Sequence, residues 1–246
     1  MKLTNIAGVD LDLMVMGDGP PLLYLHSEHY FHLFRPFLKL LSANKKVYVP
    51  RHPGFNGSQP PGDFRNVGDL AYLYLDLINE LDISEVTVLG TSFGGWIALE
   101  MAIRDCSRFN SIALIAPLGA KFSGHDKRDF VDLFALPEDE VNRALFAGQQ
   151  PDLGTFSADE LIAAARDRQF IAYYAWKPYL HNPSLARWLH RVTVPTKLIW
   201  GELDGFVTPN YGKILSERIP GAQFEVIQNA GHYPQLEQPE ATMALL

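Results

Sequence analysis

The stretch Val86-Thr87-Val88-Leu89-Gly90-Thr91-Ser92-Phe93-Gly94-Gly95 decides the fold of this 246-residue chain. Its first four residues are apolar or β-branched and predict a buried strand, and the apolar residues from 93 to 104 predict a helix. Between them lies the pattern G-x-S-x-G, which is typical of a sharp turn that exposes a serine hydroxyl. Ser92 is therefore predicted to be a nucleophile. The alternative is a glycine-rich turn that only packs the helix on the sheet.

Short apolar runs alternate with helical patterns on both sides of this turn. The predicted strands cover residues 11–16, 21–26, 46–50, 86–90, 111–116, 196–200 and 222–227. The predicted helices cover residues 31–41, 66–81, 93–104 and 210–219. Strands that alternate with helices favour an α/β fold with a mostly parallel sheet and helices on both faces.

The alternation stops between residues 121 and 190, where the chain has a mainly helical pattern and no clear strand. We predict that residues 121–190 form a helical cap inserted into a core made of residues 1–120 and 191–246. Aromatic residues occur throughout the cap. They are Phe122, Phe130, Phe134, Phe146, Phe156, Phe170, Tyr173, Tyr174, Trp176, Tyr179 and Trp188. Most are expected to form the cap's own core and a few to line an apolar pocket over Ser92.

Composition excludes several classes of function. The chain has 21 Lys and Arg against 28 Asp and Glu, a formal net charge of -7, which disfavours nucleic acid or an anionic membrane as a partner. Its single cysteine, Cys106, cannot form an intramolecular disulfide. Neither a signal-peptide pattern nor an apolar run of about 18 residues is present. A cytoplasmic protein that is a monomer or small homo-oligomer is expected.

Two further stretches carry chemistry, Trp200-Gly201-Glu202-Leu203-Asp204 and Ala230-Gly231-His232-Tyr233-Pro234. Together with G-x-S-x-G they resemble the α/β-hydrolase fold family over essentially the whole chain, in the order Ser, acid, His. The resemblance implies that Ser92 attacks, His232 accepts and returns the proton, and Asp204 orients His232. In the alternative, Asp204 only ends a strand or caps a helix, and His232 is a packing residue.

The resemblance also implies an oxyanion hole made of the backbone N–H groups of Phe93 and Glu28. The family usually has His-Gly after the third strand, whereas this chain has His26-Ser27-Glu28, with serine in place of the glycine. We expect the Glu28 side chain to point to solvent. If it lies near the site instead, it disfavours anionic substrates or steers a water.

Three other residues beside the expected site, Ser27, Trp96 and Tyr233, are predicted to bind substrate. Arg51 stands where the family commonly has an acidic residue, and it is expected either to face the pocket or to have a structural role.

The spacing of His26, His29 and His32 suggests a metal site, because imidazoles bind zinc. A strand end followed by a helix does not present these three histidines on one ligand face, and no second ligand cluster supports them. We therefore predict no metal and no cofactor. His26 is expected to be bonded to the backbone.

The predicted function is a serine hydrolase that cleaves carboxylic esters of small, uncharged to hydrophobic molecules through an acyl-enzyme. The same fold and triad also suit carbon–carbon bond hydrolases that act on meta-cleavage products, cofactor-free haloperoxidases and hydroxynitrile lyases. A non-catalytic binding protein of this fold is a third possibility, but such proteins often lose a triad member and this chain has all three residues.

Overall fold

A single sheet organises the computed structural model, which describes residues 2–55, 58–124, 126–148 and 150–246. Within these ranges eight strands lie in the order β1-β2-β4-β3-β5-β6-β7-β8. Their bounds are β1 Lys2–Ile6, β2 Val9–Met16, β3 Pro21–Leu25, β4 Lys46–Pro50, β5 Val86–Thr91, β6 Phe109–Ile115, β7 Thr196–Gly201 and β8 Gln223–Ile227. Strand β2 pairs antiparallel with β1 and β4, and the other pairs are parallel.

Helices cover both faces of the sheet. Their bounds are α1 Arg35–Leu41, α2 Val67–Glu80, α3 Phe93–Arg104, α4 Glu138–Leu145, α5 Ala158–Ala175, α6 Leu185–Trp188, α7 Pro209–Arg218, α8 Pro234–Glu237 and α9 Pro239–Met243. Side chains of β5 alternate between two apolar cores: Val88 packs with α2 and α3, and Leu89 packs with α1 on the opposite face. The predicted α/β-hydrolase architecture, a mostly parallel sheet between two layers of helices, is confirmed.

The strands and helices predicted from periodicity are present, with small shifts at their ends. Helix α2 begins at a capping box formed by Asn66 and Asp69. The predicted helix at 31–41 begins as a 3₁₀ turn and becomes α-helical at Arg35, with Pro36 in the first turn where its missing N–H costs nothing. Strand β1 was not predicted from the sequence, because a segment of five residues is too short to show a clear periodicity.

The segment between β6 and β7 contains α4, α5 and α6, and no strand among its described residues. Two backbone carbonyl groups at the end of α4 accept hydrogen bonds from the loops that follow β7 and β8. The backbone N–H of Gly205 donates to Ala144 O at 3.0 Å, and that of His232 donates to Leu145 O at 2.8 Å. The end of α4 therefore fixes the loops after β7 and β8. The division into core and cap remains a prediction.

The functional residues predicted from the sequence follow strands whose carboxyl ends lie on one edge of the sheet. Ser92 follows β5, Asp204 follows β7, and His232 follows β8, while the loop that contains Glu28 follows β3. Ligands of open parallel sheets bind at this edge. Among the described residues no helix is both long enough and apolar enough to cross a membrane.

Candidate active site

Ser92 lies at the sharp turn between β5 and α3. Its backbone has φ 50° and ψ -111°, and residues other than glycine rarely have a positive φ of this kind. The backbone is held there by three hydrogen bonds: Ser92 N–H donates to Ile115 O at 2.9 Å, and Ser92 O accepts the N–H groups of Trp96 at 3.0 Å and Leu118 at 3.2 Å. Strain of this kind is found at functional sites and persists only where the surroundings impose it. The turn projects the hydroxyl away from both the strand and the helix.

Glycines around the turn permit a close approach of three backbone segments. A Cβ at Gly94 would collide with the carbonyl oxygen of Leu25 at the end of β3. A Cβ at Gly90 would lie 2.6 Å from the carbonyl oxygen of Gly94 itself. The glycines of G-x-S-x-G are therefore required by packing, and they bring the start of α3 against the loop that follows β3.

Replacing Gly94 by alanine is expected to lower the free energy of unfolding by about 3 kcal/mol, because the clash is with backbone that cannot rotate away. Urea denaturation measures the change. Gly62→Ala is the matched control, since a Cβ at Gly62 has no atom within 4 Å and its φ is not positive. Equal stability of Gly94→Ala and Gly62→Ala would show that the close approach does not stabilise the fold.

Asp204 is fixed by the backbone of its own loop. Its Oδ1 accepts the N–H groups of Phe206 and Val207, both at 2.9 Å. These two bonds leave Oδ2 free to face His232, whose Nδ1 lies 2.8 Å away. A carboxylate oxygen can only accept here, so Nδ1 carries the hydrogen of this bond.

His232 lies between the two other predicted triad residues. With Nδ1 donating to Asp204, the opposite nitrogen Nε2 faces the Ser92 hydroxyl at an Nε2–Oγ distance of 2.7 Å. The edge of the ring packs against Phe206, with ring centroids 4.9 Å apart. Gly231 N–H donates to Glu237 Oε2 at 2.7 Å, which fixes the loop just before the histidine. Nucleophile, base and acid are thus within hydrogen-bonding distance, the arrangement that acyl transfer requires.

These side chains are closed off from solvent. Ser92 and His232 are 0% exposed, and Asp204 is 3% exposed. A cavity of about 710 Å³ lies nearby between α2, α3 and α5, but neither Ser92 nor His232 lines it. The reactive atoms are therefore buried and separate from this cavity.

The expectation that the Glu28 side chain points to solvent is wrong. Glu28 is 0% exposed, and its carboxylate lies against the nucleophile. Ser92 Oγ lies 3.0 Å from Glu28 Oε1, and Phe93 N–H donates to Glu28 Oε2 at 3.1 Å. The physical reason is hydrogen bonding: the first N–H groups of α3 have no partner in the helix, and a carboxylate satisfies one of them. The N–H predicted to bind an oxyanion is thus occupied by a side chain of the same chain.

The Glu28 carboxylate is buried but favoured as an anion. Burial raises the pKa of Glu28, but a hydrogen bond and the positive charge of His29, the charge of His232 and the backbone N–H of Glu28 itself outweigh it and lower the pKa to about 2. His29 Nδ1 lies 3.4 Å from Glu28 Oε1 and 3.3 Å from the hydroxyl of Tyr233. Both predicted oxyanion donors, the N–H groups of Phe93 and Glu28, therefore stabilise this carboxylate.

Two of the three residues predicted to bind substrate lie in the same buried region. The Ser27 hydroxyl donates to His29 O at 3.1 Å and shapes the loop after β3. Tyr233 is fully buried beside His232, and burial raises the pKa of its phenol well above the usual value. The Trp96 side chain instead faces the 710 Å³ cavity, which its ring lines, and its Nε1–H donates to Glu100 Oε1 at 3.0 Å.

The remaining polar residues of the loops have structural contacts. His26 is bonded to backbone as expected, with Nδ1 2.7 Å from Ser27 O and Nε2 accepting from His52 N–H at 3.2 Å. Burial lowers the pKa of His52 to about 3, so its ring is neutral. The Arg51 guanidinium lies 3.7 Å from the centre of the Phe31 ring. Across the described ranges, no three His, Cys, Asp or Glu side chains are placed to hold a metal ion.

Sequence reasoning therefore missed one feature of the site, the position of the Glu28 carboxylate. The signal was present in the departure from His-Gly at residues 26–28, because it comes with an acidic residue beside an expected N–H donor. The pattern alone does not reveal whether such a side chain turns outward or inward, since both directions are compatible with a loop.

The chain is similar to known proteins over most of its length. The sequence model of the alpha/beta hydrolase family matches residues 19–245. The chain is 26% identical to the 2-hydroxy-6-oxononadienedioate/2-hydroxy-6-oxononatrienedioate hydrolase of Cupriavidus pinatubonensis, over 96% of this chain and 84% of that protein. It is 25% identical to 3-oxoadipate enol-lactonase 1 of Acinetobacter baylyi, over 98% of this chain and 92% of that protein.

Among solved structures, the chain is similar to the esterase EaEST from Exiguobacterium antarcticum, with a TM-score of 0.76 and 19% identity. The match covers 99% of this chain and 96% of the esterase. At this identity the likeness shows the fold alone.

Proposed function

Since the chain belongs to the alpha/beta hydrolase family, we propose that it is a serine hydrolase that cleaves carboxylic esters of small, uncharged to hydrophobic molecules. The observation that carries the proposal is the run of hydrogen bonds from Asp204 through His232 to Ser92, at 2.8 and 2.7 Å. A serine hydroxyl is a weak nucleophile until a base takes its proton, and this geometry provides that base.

In the first half-reaction, Ser92 Oγ attacks the ester carbonyl carbon while its proton moves to His232 Nε2. Asp204 stabilises the imidazolium that forms and keeps Nδ1 protonated. The negative charge on the former carbonyl oxygen is stabilised by the N–H of Phe93 at the start of α3, and the N–H of Glu28 is the second donor. The leaving alkoxide then takes the proton from Nε2, which yields the alcohol and an acyl-serine.

The second half-reaction reverses these roles with water. His232 Nε2 takes a proton from the water, and the resulting hydroxide adds to the acyl carbon. When the tetrahedral intermediate collapses, the proton returns to Ser92 Oγ and the carboxylic acid leaves. Neither half-reaction requires a metal or an organic cofactor for atom balance.

The charge near Ser92 favours uncharged substrates. Glu28 and Asp204 place two carboxylates within hydrogen-bonding distance of the reacting side chains. A substrate that carries its own carboxylate next to the scissile bond would be repelled in this buried site, where charges interact strongly. A neutral ester has no such penalty.

A second candidate is hydrolysis of a carbon–carbon bond. It is favoured by the names of two relatives, the Cupriavidus pinatubonensis enzyme and the 2-hydroxymuconate semialdehyde hydrolase of Pseudomonas sp., which is 26% identical over 94% of this chain. The two candidates share the nucleophile and the base, so only the substrate separates them.

A series of p-nitrophenyl esters, from acetate upward in chain length, tests the proposal. We expect kcat/KM to rise with the acyl chain and then fall where the pocket is full, because each buried methylene contributes about 0.8 kcal/mol. Under the same conditions we expect kcat/KM for 2-hydroxymuconate semialdehyde to be at least about tenfold lower than for the best ester, because the carboxylate of this dienoate is repelled by Glu28 and Asp204.

The contrary result is equally clear. If the folded protein cleaves the dienoate and none of the esters, the ester hydrolase proposal is wrong and the carbon–carbon hydrolase replaces it. Thermal unfolding of the same preparation, followed by circular dichroism, verifies that the protein is folded.

A further inference from the structure

The carboxylate of Glu28 lies where a substrate's oxyanion would have to be. One oxygen accepts the N–H of Phe93 at 3.1 Å, and the other is 3.0 Å from Ser92 Oγ. An ester whose carbonyl oxygen is held by Phe93 N–H and whose carbon faces Ser92 would overlap both carboxylate oxygens. Glu28, Ser92 and His232 are also all fully buried. The described arrangement is therefore closed to substrate.

We propose that the Glu28 side chain is a built-in occupant of the oxyanion hole, which competes with the substrate and must leave before Ser92 can react. The proposal rests on the serine hydrolase function proposed above. It assigns Glu28 a role in substrate selection: only a molecule that binds strongly enough to replace the carboxylate gains access to the nucleophile. In this respect Glu28 acts as an intramolecular inhibitor that resembles the carboxylate product.

The number of protons in the closed arrangement supports the proposal. Three hydrogen bonds run in a row from Asp204 through His232 and Ser92 to Glu28, and each requires one proton. A neutral imidazole with Nδ1–H and a serine hydroxyl supply only two. The closed arrangement therefore holds one proton more than an open site in which His232 is neutral and Glu28 is ionised.

The extra proton resides on the imidazole in the closed arrangement. In that form Nδ1–H donates to Asp204, Nε2–H donates to Ser92 Oγ, and the Ser92 hydroxyl donates to Glu28. Because the Ser92 hydroxyl donates to Glu28, Nε2 can be bonded to Ser92 Oγ only as the donor. A histidine that already carries the proton cannot accept another from serine, so the closed form is inactive both because the hole is full and because the base is protonated.

Other titratable groups face the Glu28 carboxylate from each neighbouring element. His29 lies on the loop after β3, and His232 and Tyr233 lie on the loop after β8. The charge of Glu28 also acts on His52 after β4 and on Tyr179 between α5 and α6. Ser92 and Phe93 contribute only neutral hydrogen-bond donors. Among the described residues, the opposite charge that lowers the pKa of Glu28 therefore comes from His29 and His232.

The sign of the pH dependence follows from the proton count. Because closing takes up one proton, each unit decrease in pH favours the closed form by up to tenfold. The fraction of open protein multiplies the intrinsic kcat/KM. We expect the acid limb of kcat/KM to have its midpoint at a higher pH in the native protein than in variants that do not need the extra proton.

Two variants separate occupancy from protonation. Glu28→Ala empties the hole. Glu28→Gln keeps its shape, but the amide donates to Ser92 Oγ and the serine hydroxyl donates to a neutral His232, so no extra proton is required. Both variants are expected to lower the midpoint of the acid limb. About one unit below the native midpoint, Glu28→Ala is expected to hydrolyse esters about tenfold faster than the native protein, and the gain disappears at high pH.

The rate of covalent labelling by diethyl p-nitrophenyl phosphate is the second measurement. Ser92 Oγ forms a bond to phosphorus, p-nitrophenolate leaves, and His232 takes the serine proton. This neutral probe needs the nucleophile and the oxyanion hole but no particular acyl pocket. About one pH unit below the native midpoint, the rate of labelling of Glu28→Ala is expected to be about tenfold higher than that of the native protein. Glu140→Gln, which removes an exposed carboxylate from α4, is the control for charge alone.

The outcomes are distinguishable. If neither the native protein nor Glu28→Ala is labelled, the serine hydrolase function itself is wrong. If the native protein is labelled and Glu28→Ala reacts at the same rate or more slowly, with an unchanged midpoint in Glu28→Gln, Glu28 is not a competitor of the substrate. If Glu28→Ala fails to fold, the midpoint of Glu28→Gln decides alone.

Discussion

Replacing Ser92 by alanine is expected to lower kcat for ester hydrolysis by about 10⁴- to 10⁶-fold and to leave the fold intact. The loss is large because Ser92 Oγ is the only hydroxyl within hydrogen-bonding distance of His232 Nε2 among the described residues. Alanine keeps the Cβ, so the left-handed backbone at this position, with φ 50°, is equally costly in both proteins. The variant tests chemistry more than stability.

Steady-state hydrolysis of the best p-nitrophenyl ester and intact-protein mass after exposure to the organophosphate measure the effect. Ser216→Ala, which removes a hydroxyl bonded to Lys213 O on the surface of α7, is the matched control and should retain activity and labelling. Residual activity of Ser92→Ala within tenfold of the native protein would assign the nucleophile to another residue.

Most of the fold was predictable, because periodicity and turn chemistry are local signals. The run at 86–89 packs into both cores as a buried strand, and the capping box at Asn66 begins α2. Strand β1 was not predictable, because it depends on pairing with another strand and not on a local signal. It is stabilised by antiparallel pairing with β2, in register from Lys2 with Leu13 to Ile6 with Val9, and its own five residues contain no decisive pattern.

The candidate site was also predictable only in part. The identities of Ser92, Asp204 and His232 follow from motifs at strand ends, and the fold brings these side chains together because parallel strands end at one edge of the sheet. The direction of the Glu28 side chain is a tertiary property. It depends on the free N–H of Phe93, on His29 and on the Ser92 hydroxyl, which come from three different segments. No local pattern encodes such a meeting.

Asp204→Asn is expected to lower kcat by about 10⁴-fold with little change in KM or stability. Oδ1 accepts the N–H groups of Phe206 and Val207, and only an oxygen can fill that place, so the amide NH₂ must take the place of Oδ2. It then donates to His232 Nδ1, and the imidazole proton is forced to Nε2. A ring with Nε2–H facing Ser92 cannot accept the serine proton.

Asp132→Asn is the matched control for this substitution. Asp132 Oδ1 accepts the N–H groups of Phe134 at 3.0 Å and Ala135 at 3.2 Å, the same two-residue and three-residue spacing as at Asp204, but far from the nucleophile in sequence and without a histidine partner in these bonds. It should preserve activity. A loss of the same size in both variants would mean that the turn, and not the orientation of the histidine, controls the rate.

The same substitution also tests how Asp204 and Glu28 act together. In Asp204→Asn, a neutral imidazole already places Nε2–H toward Ser92, so the serine hydroxyl can donate to Glu28 and all three hydrogen bonds form without an extra proton. The closed arrangement then no longer depends on pH. Adding Glu28→Ala cannot restore the base, but it still empties the hole, so the gain in residual kcat/KM over Asp204→Asn should have the same size at every pH and should not disappear at high pH. Full additivity of the two changes, measured as kcat/KM across the pH range, would show that the carboxylates act independently and that the shared proton of the closed site has no effect on turnover.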